Sequence, residues 1–301
     1  MTESFSRRET LKCLGLSAGT LFTLSGGILT AIDPAQAQTE APLFLQISDT
    51  HIGFNKEANP DVAGTLRQAM DRVSALPQPP ALVLHTGDVT HLSKASEFDS
   101  ASLLLSQMKG ELHVVPGEHD VTDGPGTEFF ARFGKPSGNR GYYSFDYQGV
   151  HFIALINVMN FKPNGLGALG DDQLAWLKDD LAGRSASQPI VVFAHMPLWT
   201  IYQPWGWGTA EGEQIAEMLR RFGSVTVLNG HIHQIVQKVE GNMTFHTARS
   251  TAFPQPAPGT APSPGPMTVP AEQLRSMLGI TSVDVRFGNK PLAVTDTTLA
   301  G

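Results

Sequence analysis

Residues 43–51 read Leu43-Phe44-Leu45-Gln46-Ile47-Ser48-Asp49-Thr50-His51, an apolar run followed by a carboxylate and an imidazole two positions apart. Variations on this pattern recur along the chain. Residues 81–85 lead to Gly87-Asp88, 112–115 to Gly117-Glu118-His119-Asp120, 190–194 to His195, and 225–228 to Gly230-His231-Ile232-His233. Short apolar runs bounded by turn formers read as strands, and open α/β sheets hold ligands at the carboxyl ends of their strands. Carboxylates and imidazoles gathered at one such edge suit a divalent-metal site. In Asp49-x-His51 and His231-x-His233 the spacing of two predicts an extended backbone that points both side chains to one side.

Between these strands the apolar spacing turns helical. Val62, Leu66, Met70 and Val73 mark a helix over 61–76, and residues 93–108 form another, with Ser93 as its candidate cap. A short helix is expected over 127–133. Residues 142–147 and 150–156 alternate around Gln148-Gly149 as an antiparallel hairpin. A helix starts at Asp171, with Leu174, Leu177 and Leu181 on its buried face, and another covers 211–222. Residues 235–239 and 243–246 read as strands. The proline-dense stretch 253–270 reads as an irregular surface loop, 269–278 as a short helix, and 281–297 as a closing hairpin around Gly288-Asn289.

The order D-x-H, G-D, G-x-H-D, H, G-H-x-H resembles that of the calcineurin-like metallophosphoesterase family, and the resemblance runs from Leu43 to about Ala248. It implies an α/β fold in which two central mixed β-sheets are flanked by helices, a four-layer sandwich. It also implies a hydrolase of phosphate esters with two metal ions. By resemblance, Asp49, His51 and His233 hold one metal, Glu118, His195 and His231 hold the other, and Asp88 bridges them. A metal-bound hydroxide would attack, and His119 would assist departure of the ester oxygen. The physics agrees in kind: carboxylates bridge, imidazoles fill the remaining positions, and paired cations clamp an in-line displacement.

Two residues depart from the family pattern. Glu118 stands where relatives carry Asn; its carboxylate adds a negative charge and favours a harder or more highly charged ion. With it, iron at one position and zinc or manganese at the other becomes the expected pair. His91, three residues after Asp88, stands where relatives commonly carry an Asp that orients the catalytic histidine. It is either an added metal ligand or a loop histidine. Asp120 either orients His119 or caps the following turn. His85, His113, His151 and His246 sit inside strand-like runs and read as structural. The loop 196–209 carries Trp199, Tyr202, Trp205 and Trp207, either as a wall of the substrate pocket, with Trp199 and Trp205 its candidate contacts, or as loop packing. Asn157 and Asn160 are candidate phosphate contacts.

The chain opens with an address. Ser6-Arg7-Arg8-Glu9-Thr10-Leu11-Lys12 resembles the twin-arginine export signal, an apolar run follows over 14–32, and Ala35-Gln36-Ala37 offers a cleavage site, which leaves 38–301 as one domain. The expected location is periplasmic or secreted, with the export machinery as a partner. An uncleaved anchor is the competing reading, disfavoured by the glycines and the small-residue cleavage site. The only cysteine, Cys13, lies in this segment, so metals in the remaining chain must be held by nitrogen and oxygen donors. A formal charge of −7 without a basic stripe argues against tight nucleic-acid binding. The expected function is an exported phosphoesterase acting on small phosphodiesters or monoesters. The alternatives are a metal-binding protein of the same fold, with hydrolysis weakened by Glu118 and His91, and a phospholipid or nucleotide pyrophosphate hydrolase served by the aromatic loop.

Overall fold

The computed structural model describes residues 21–25, 28–32, 44–134, 141–284 and 292–300. The chain divides into two units, 1–41 and 42–301. In the first, the described residues are an antiparallel pair, β1 (Leu21–Ser25) with β2 (Ile28–Ile32). The twin-arginine motif and the cleavage site expected after Ala37 lie outside the described residues.

The second unit begins with two crossovers. Strand β3 (Phe44–Ile47), helix α1 (Val62–Ser74), β4 (Leu82–His85), α2 (Ala95–Leu105) and β5 (Glu111–Val114) place three strands parallel in one sheet. Helix α3 (Thr127–Phe133) follows. A hairpin, β6 (Tyr143–Tyr147) with β7 (Val150–Ala154), turns at Gln148 and Gly149, both at positive φ as a two-residue hairpin loop requires. Helix α4 (Asp171–Ala182), β8 (Ile190–Ala194), α5 (Gly212–Leu219) and β9 (Val225–Asn229) repeat the crossover pattern. Strands β10 (Gln237–Glu240) and β11 (Met243–Thr247) complete a six-stranded sheet of order β10-β11-β9-β8-β7-β6. After α6 (Ala271–Met277), β12 (Gly279–Asp284) and β13 (Ala293–Thr298) return to the first sheet, whose order is β13-β12-β3-β4-β5. The turn of this closing pair falls at 285–291, outside the described residues.

The side-chain period of two explains the layers. On β3, Phe44 faces the other sheet and meets Phe152 edge-on at 5.3 Å, in a cluster with Leu84, Val191, Phe193 and Leu228. Leu45 and Ile47 face outward and pack with Leu66 and Val73 of α1 and Phe98 of α2. The six-stranded sheet does the same: Ile153, Val192 and Val227 pack against Leu177 and Leu181 of α4 and Ile215 and Leu219 of α5. Strands buried on both faces must be apolar throughout, so they read as runs and not as alternations. The result is two mixed sheets flanked by helices, the four-layer architecture the motif order implied. Truncating one of the shared core residues, as in Leu177→Ala, is expected to cost about 2–5 kcal/mol.

Two local readings change. Helix α1 is capped by Asp61, whose carboxylate accepts from the Gly64 N–H at 2.8 Å. Helix α2 is not capped by Ser93. Its N-cap is Lys94, and Glu97 accepts there from the Leu92 N–H at 2.8 Å. The proline-dense stretch is not surface throughout: Phe253 is 3 % exposed and belongs to the core beside α1, while the chain from 257 to 260 is exposed. No helix among the described residues is long and apolar enough to cross a membrane.

Candidate metal centre

The loops leaving β3, β4 and β9 carry their polar residues on an unusual backbone. Asp49, His51, Asp88, His231 and His233 all have positive φ, between 41° and 69°. This corrects the extended-backbone reading of Asp49-x-His51 and His231-x-His233, because these residues follow their strands in left-handed turns. Such conformations cost non-glycine residues about 1–3 kcal/mol each and persist only where the surroundings enforce them. Here the β3 and β4 loops lock together: Asp49 N–H donates to Gly87 O at 3.0 Å, His51 N–H to Asp88 O at 2.9 Å, and Ile52 N–H to Val89 O at 3.0 Å. Close approach also explains two motif glycines. A Cβ on Gly117 would lie 2.0 Å from Asp88 Oδ1, and one on Gly230 would lie 2.1 Å from Ser48 Oγ.

The side chains converge in two sets. Ligand atoms of Asp49, His51 and His233 lie within 4.8 Å of one another, as do those of Glu118, His195 and His231. In the first set His233 Nε2 is 3.3 Å from Asp49 Oδ1 and 3.2 Å from His51 Nε2. In the second, the two Glu118 oxygens face different partners, His195 Nε2 at 2.9 Å and His231 Nδ1 at 3.0 Å. Asp88 stands between, its Oδ2 3.4 Å from His51 Nε2 and 3.5 Å from His195 Nε2. All seven residues assigned from the motifs to the two metals and their bridge are thus brought together.

Backbone carbonyls fix several imidazoles. A carbonyl only accepts, so Nδ1 must donate wherever it meets one. His195 Nδ1 donates to Thr86 O at 2.7 Å and His233 Nδ1 to Phe253 O at 2.6 Å, which leaves Nε2 of each facing the carboxylates, free to take a proton or a metal ion. An outer partner that sets the tautomer is the usual support of a metal-binding histidine. The electrostatics fit cations as well. Burial alone would raise the pKa of Asp49, but His233 and His195 beside it hold the carboxyl below its ordinary value. Glu118 is likewise held well below its ordinary value against burial by His231 and His195. Burial would lower His195, yet Asp88 and Glu118 raise it well above its ordinary value. Three carboxylates converging in so small a volume need positive charge there, which a proton on His195 supplies and metal ions would supply better. His51 is lowered well below its ordinary value, chiefly by burial and the neighbouring histidines, and its Nδ1 is buried without a hydrogen-bond partner. The donors are N and O only, with carboxylate in each set, and they fit the pair of ions the motif order implied.

His119 lies beside Asp88 and Glu118, with ligand-type atoms within 4.8 Å of both. Its Nδ1 donates to the carbonyl of His91 at 2.7 Å, and its own N–H donates to Asp88 Oδ1 at 3.0 Å. The support for His119 that the family resemblance placed on an acidic side chain at position 91 comes here from the main chain of His91. The His91 ring stacks on that of His119, with centroids 5.0 Å apart. Asp120 does not orient His119. Its carboxylate accepts from the N–H groups of Val89, Thr90 and Gly117 at 2.7–3.0 Å and braces the Asp88 loop. Ser93, the misassigned cap, instead donates to His119 O at 2.7 Å and accepts from Thr122 N–H at 3.0 Å.

The remaining candidates sit elsewhere. Asn157 is buried and spends its amide on the loop after β8, donating to Met196 O and Thr209 Oγ1 at 2.8 Å each and accepting from Met196 N–H at 3.2 Å; this corrects its reading as a substrate contact. Asn160 donates to Leu169 O at 3.3 Å. Trp199 packs edge-on against Phe245 at 5.3 Å in the outer core of the six-stranded sheet. Trp205 meets Tyr202 and Trp207 edge-on at 5.2 and 5.0 Å, and Trp207 is fully buried. These contacts favour loop packing. The four histidines read as structural each meet polar partners away from the two ligand sets. Burial pushes His85 down to about 3, and its ring accepts from Gly87 N–H and meets Thr50 Oγ1. His113 meets Tyr143 OH, His151 lies between Asp146 and Asp180, and His246 faces Asp296.

Two supporting residues escaped the sequence reading. Phe253 packs its ring at a tilt against both His51 and His233 with centroids 4.7 Å away, besides accepting the His233 Nδ1 hydrogen bond on its carbonyl. Ser250 Oγ donates to Asp49 O at 2.7 Å. Both come from the segment after β11, with no motif to mark them.

Comparison with known proteins agrees with this geometry. The chain is 25 % identical over 224 residues to a probable cyclic nucleotide phosphodiesterase of Rhodopseudomonas palustris, covering 69 % of this chain and 78 % of that one. It is 24 % identical over 221 residues to a probable glycerophosphodiester phosphodiesterase of Arcobacter nitrofigilis, with the same two coverages. A dimetal phosphatase of Danio rerio shares the fold, with a TM-score of 0.58 at 14 % identity over 84 % of this chain and 98 % of that one. Residues 42–235, which hold every residue of both sets, match the calcineurin-like phosphoesterase model, and the chain belongs to that family.

Proposed function

We propose that this chain is a dinuclear phosphoesterase that hydrolyses small phosphodiesters or monoesters. The observation that carries the reading is the pair of carboxylate–imidazole sets with Asp88 between them and His119 at their margin. Asp49, His51 and His233 would hold one ion and Glu118, His195 and His231 the other. When bound, the ions supply Lewis acidity toward phosphoryl oxygens and water. The chain's own contribution is positioning and proton transfer. Burial alone would lower the pKa of His119, but Asp88 and Glu118 outweigh it and the imidazole is raised above its ordinary value. With Nδ1 occupied by the His91 carbonyl, Nε2 is the atom that carries the exchangeable proton to a departing ester oxygen. The three carboxylates support iron at one position with zinc or manganese at the other. The phosphodiesterase names of the relatives support a diester among the substrates. The twin-arginine motif at Arg7-Arg8 supports export to the periplasm or beyond.

The test is a panel of phosphodiesters and monoesters assayed on protein stripped with chelator and reloaded with manganese, zinc or iron. Diester or monoester hydrolysis that vanishes on stripping and returns on reloading is expected. Stoichiometric metal binding with no turnover on any ester would favour the metal-binding alternative.

A further inference from the structure

One histidine is shared between two ligand sets of different chemistry. His51 belongs with Asp49 and His233, but its ring nitrogen also lies within 4.8 Å of ring nitrogens of His91 and His119. This second set has no carboxylate. Its rings are packed together: His51 meets His119 at 4.8 Å and His91 at 5.6 Å, both edge-on, and Phe54 meets His91 at 5.1 Å. His119 keeps Nε2 available because Nδ1 is spent on the His91 carbonyl. Nδ1 of His91 is buried without a hydrogen-bond partner, and a buried ring nitrogen left without a partner is uncommon unless something binds there. Imidazole-only sets suit zinc, copper and nickel, whereas carboxylate-containing sets also serve manganese and iron.

We propose that His51, His91 and His119 form an alternative cation position, selective for zinc- or copper-class ions, that competes with the Asp49–His51–His233 position and silences His119 when filled. The proposal rests on the dinuclear reading above. A neutral imidazole carries one lone pair, so His51 serves one ion at a time and the two positions exclude each other. An ion on His119 takes the lone pair that the proton needs, and the ester then loses its general acid. The chain would thereby respond to the identity of the available metal: manganese or iron leaves His119 free, while excess zinc or copper captures it.

Nitrogen counting by pulsed electron paramagnetic resonance on copper(II) tests this directly. Either carboxylate set offers a copper ion two imidazoles, and the alternative position offers three. The full chain and a His91→Phe variant, which keeps a ring against Phe54, should each receive one equivalent. Three coupled imidazole nitrogens in the parent and two in the variant are expected. Two in both would overturn the alternative position and leave the dinuclear reading intact. Three in both would also overturn it, since the third nitrogen would not be His91. Failure of both proteins to retain copper would overturn the dinuclear reading as well. His91→Ala, which preserves the carbonyl that holds His119, serves if the phenylalanine variant does not fold. In the manganese-loaded parent, excess zinc should slow hydrolysis of an alkyl ester on the order of a hundredfold, the contribution of a general acid. His91→Phe should resist that zinc; equal inhibition of the two proteins would contradict the proposal.

Discussion

The two ligand sets differ in how they face solvent. Asp49, His51 and His233 are at most 2 % exposed and lie under Phe253, whose ring covers both histidines. In the other set His195 is fully buried, but the His231 side chain is 12 % exposed and that of Glu118 29 %. Both sets combine one carboxylate with two imidazoles, so ligand type alone does not separate them. Their surroundings do. The first set is walled by aromatic rings and by the returning chain at Ser250 and Phe253. The second is completed by a three-residue 3₁₀ turn, Glu118–Asp120, at the end of the β5 loop. Ion exchange from a closed, apolar-lined position needs local opening, whereas a partly open position exchanges with solvent directly. The first position should therefore hold its ion and the second should exchange it and meet the substrate.

Asp88 is the element common to both, so removing it should produce the largest effect. Asp88→Ala is expected to lose metal from both positions and to abolish hydrolysis, read by metal analysis alongside rate. Full occupancy with an unchanged rate would break the paired-site account. His119→Asn should separate chemistry from binding. It should keep both metals and slow esters with poor leaving groups on the order of 10²–10⁴-fold, while activated aryl esters, whose oxygen leaves without a proton, suffer less. Equal losses on both ester types would remove His119 as the proton donor. Ser250→Ala should act only on the closed position. Loss of the hydroxyl on the Asp49 carbonyl is expected to cost about 1 kcal/mol of stability and to weaken the tighter ion on the order of tenfold, measured by denaturant unfolding and metal titration. A weakened second ion with an unchanged first would reverse the assignment of the two positions.

What could be read from sequence follows from what sequence encodes. Asp49, His51, Asp88, His195, His231 and His233 were legible because their chemistry is in their side chains and each closes an apolar run. The layers were legible because runs such as 190–194 are apolar on both faces. The mechanism of convergence was not. Spacing of two suggests alternation, yet Asp49 and His51 sit in left-handed turns imposed by hydrogen bonds to residues 87–88, and residue type does not announce such long-range pairing. The acceptors that set the tautomers are main-chain oxygens of Thr86, His91 and Phe253. Every residue has a carbonyl, so nothing at those positions marks them in advance. Asp120 and Ser93 were misread or left open for a related reason: each has the chemistry of a local cap, and the fold turns it on a different loop. Asn157 and the tryptophans were credited with function for being polar or aromatic near a ligand, and their observed contacts belong to loop packing.

The contrast between the two positions is tested most directly by a chelator titration of the metal-loaded parent and of Glu118→Asn, with metal per chain determined at each step. In the parent, two ions should leave in two separate steps, the more weakly held one first. In the variant, the loss of one negative charge from the open set should weaken that first step on the order of tenfold or more, while the second step stays where it is. A single ion per chain in the parent, or equal shifts of both steps in the variant, would contradict two distinct positions joined through Asp88.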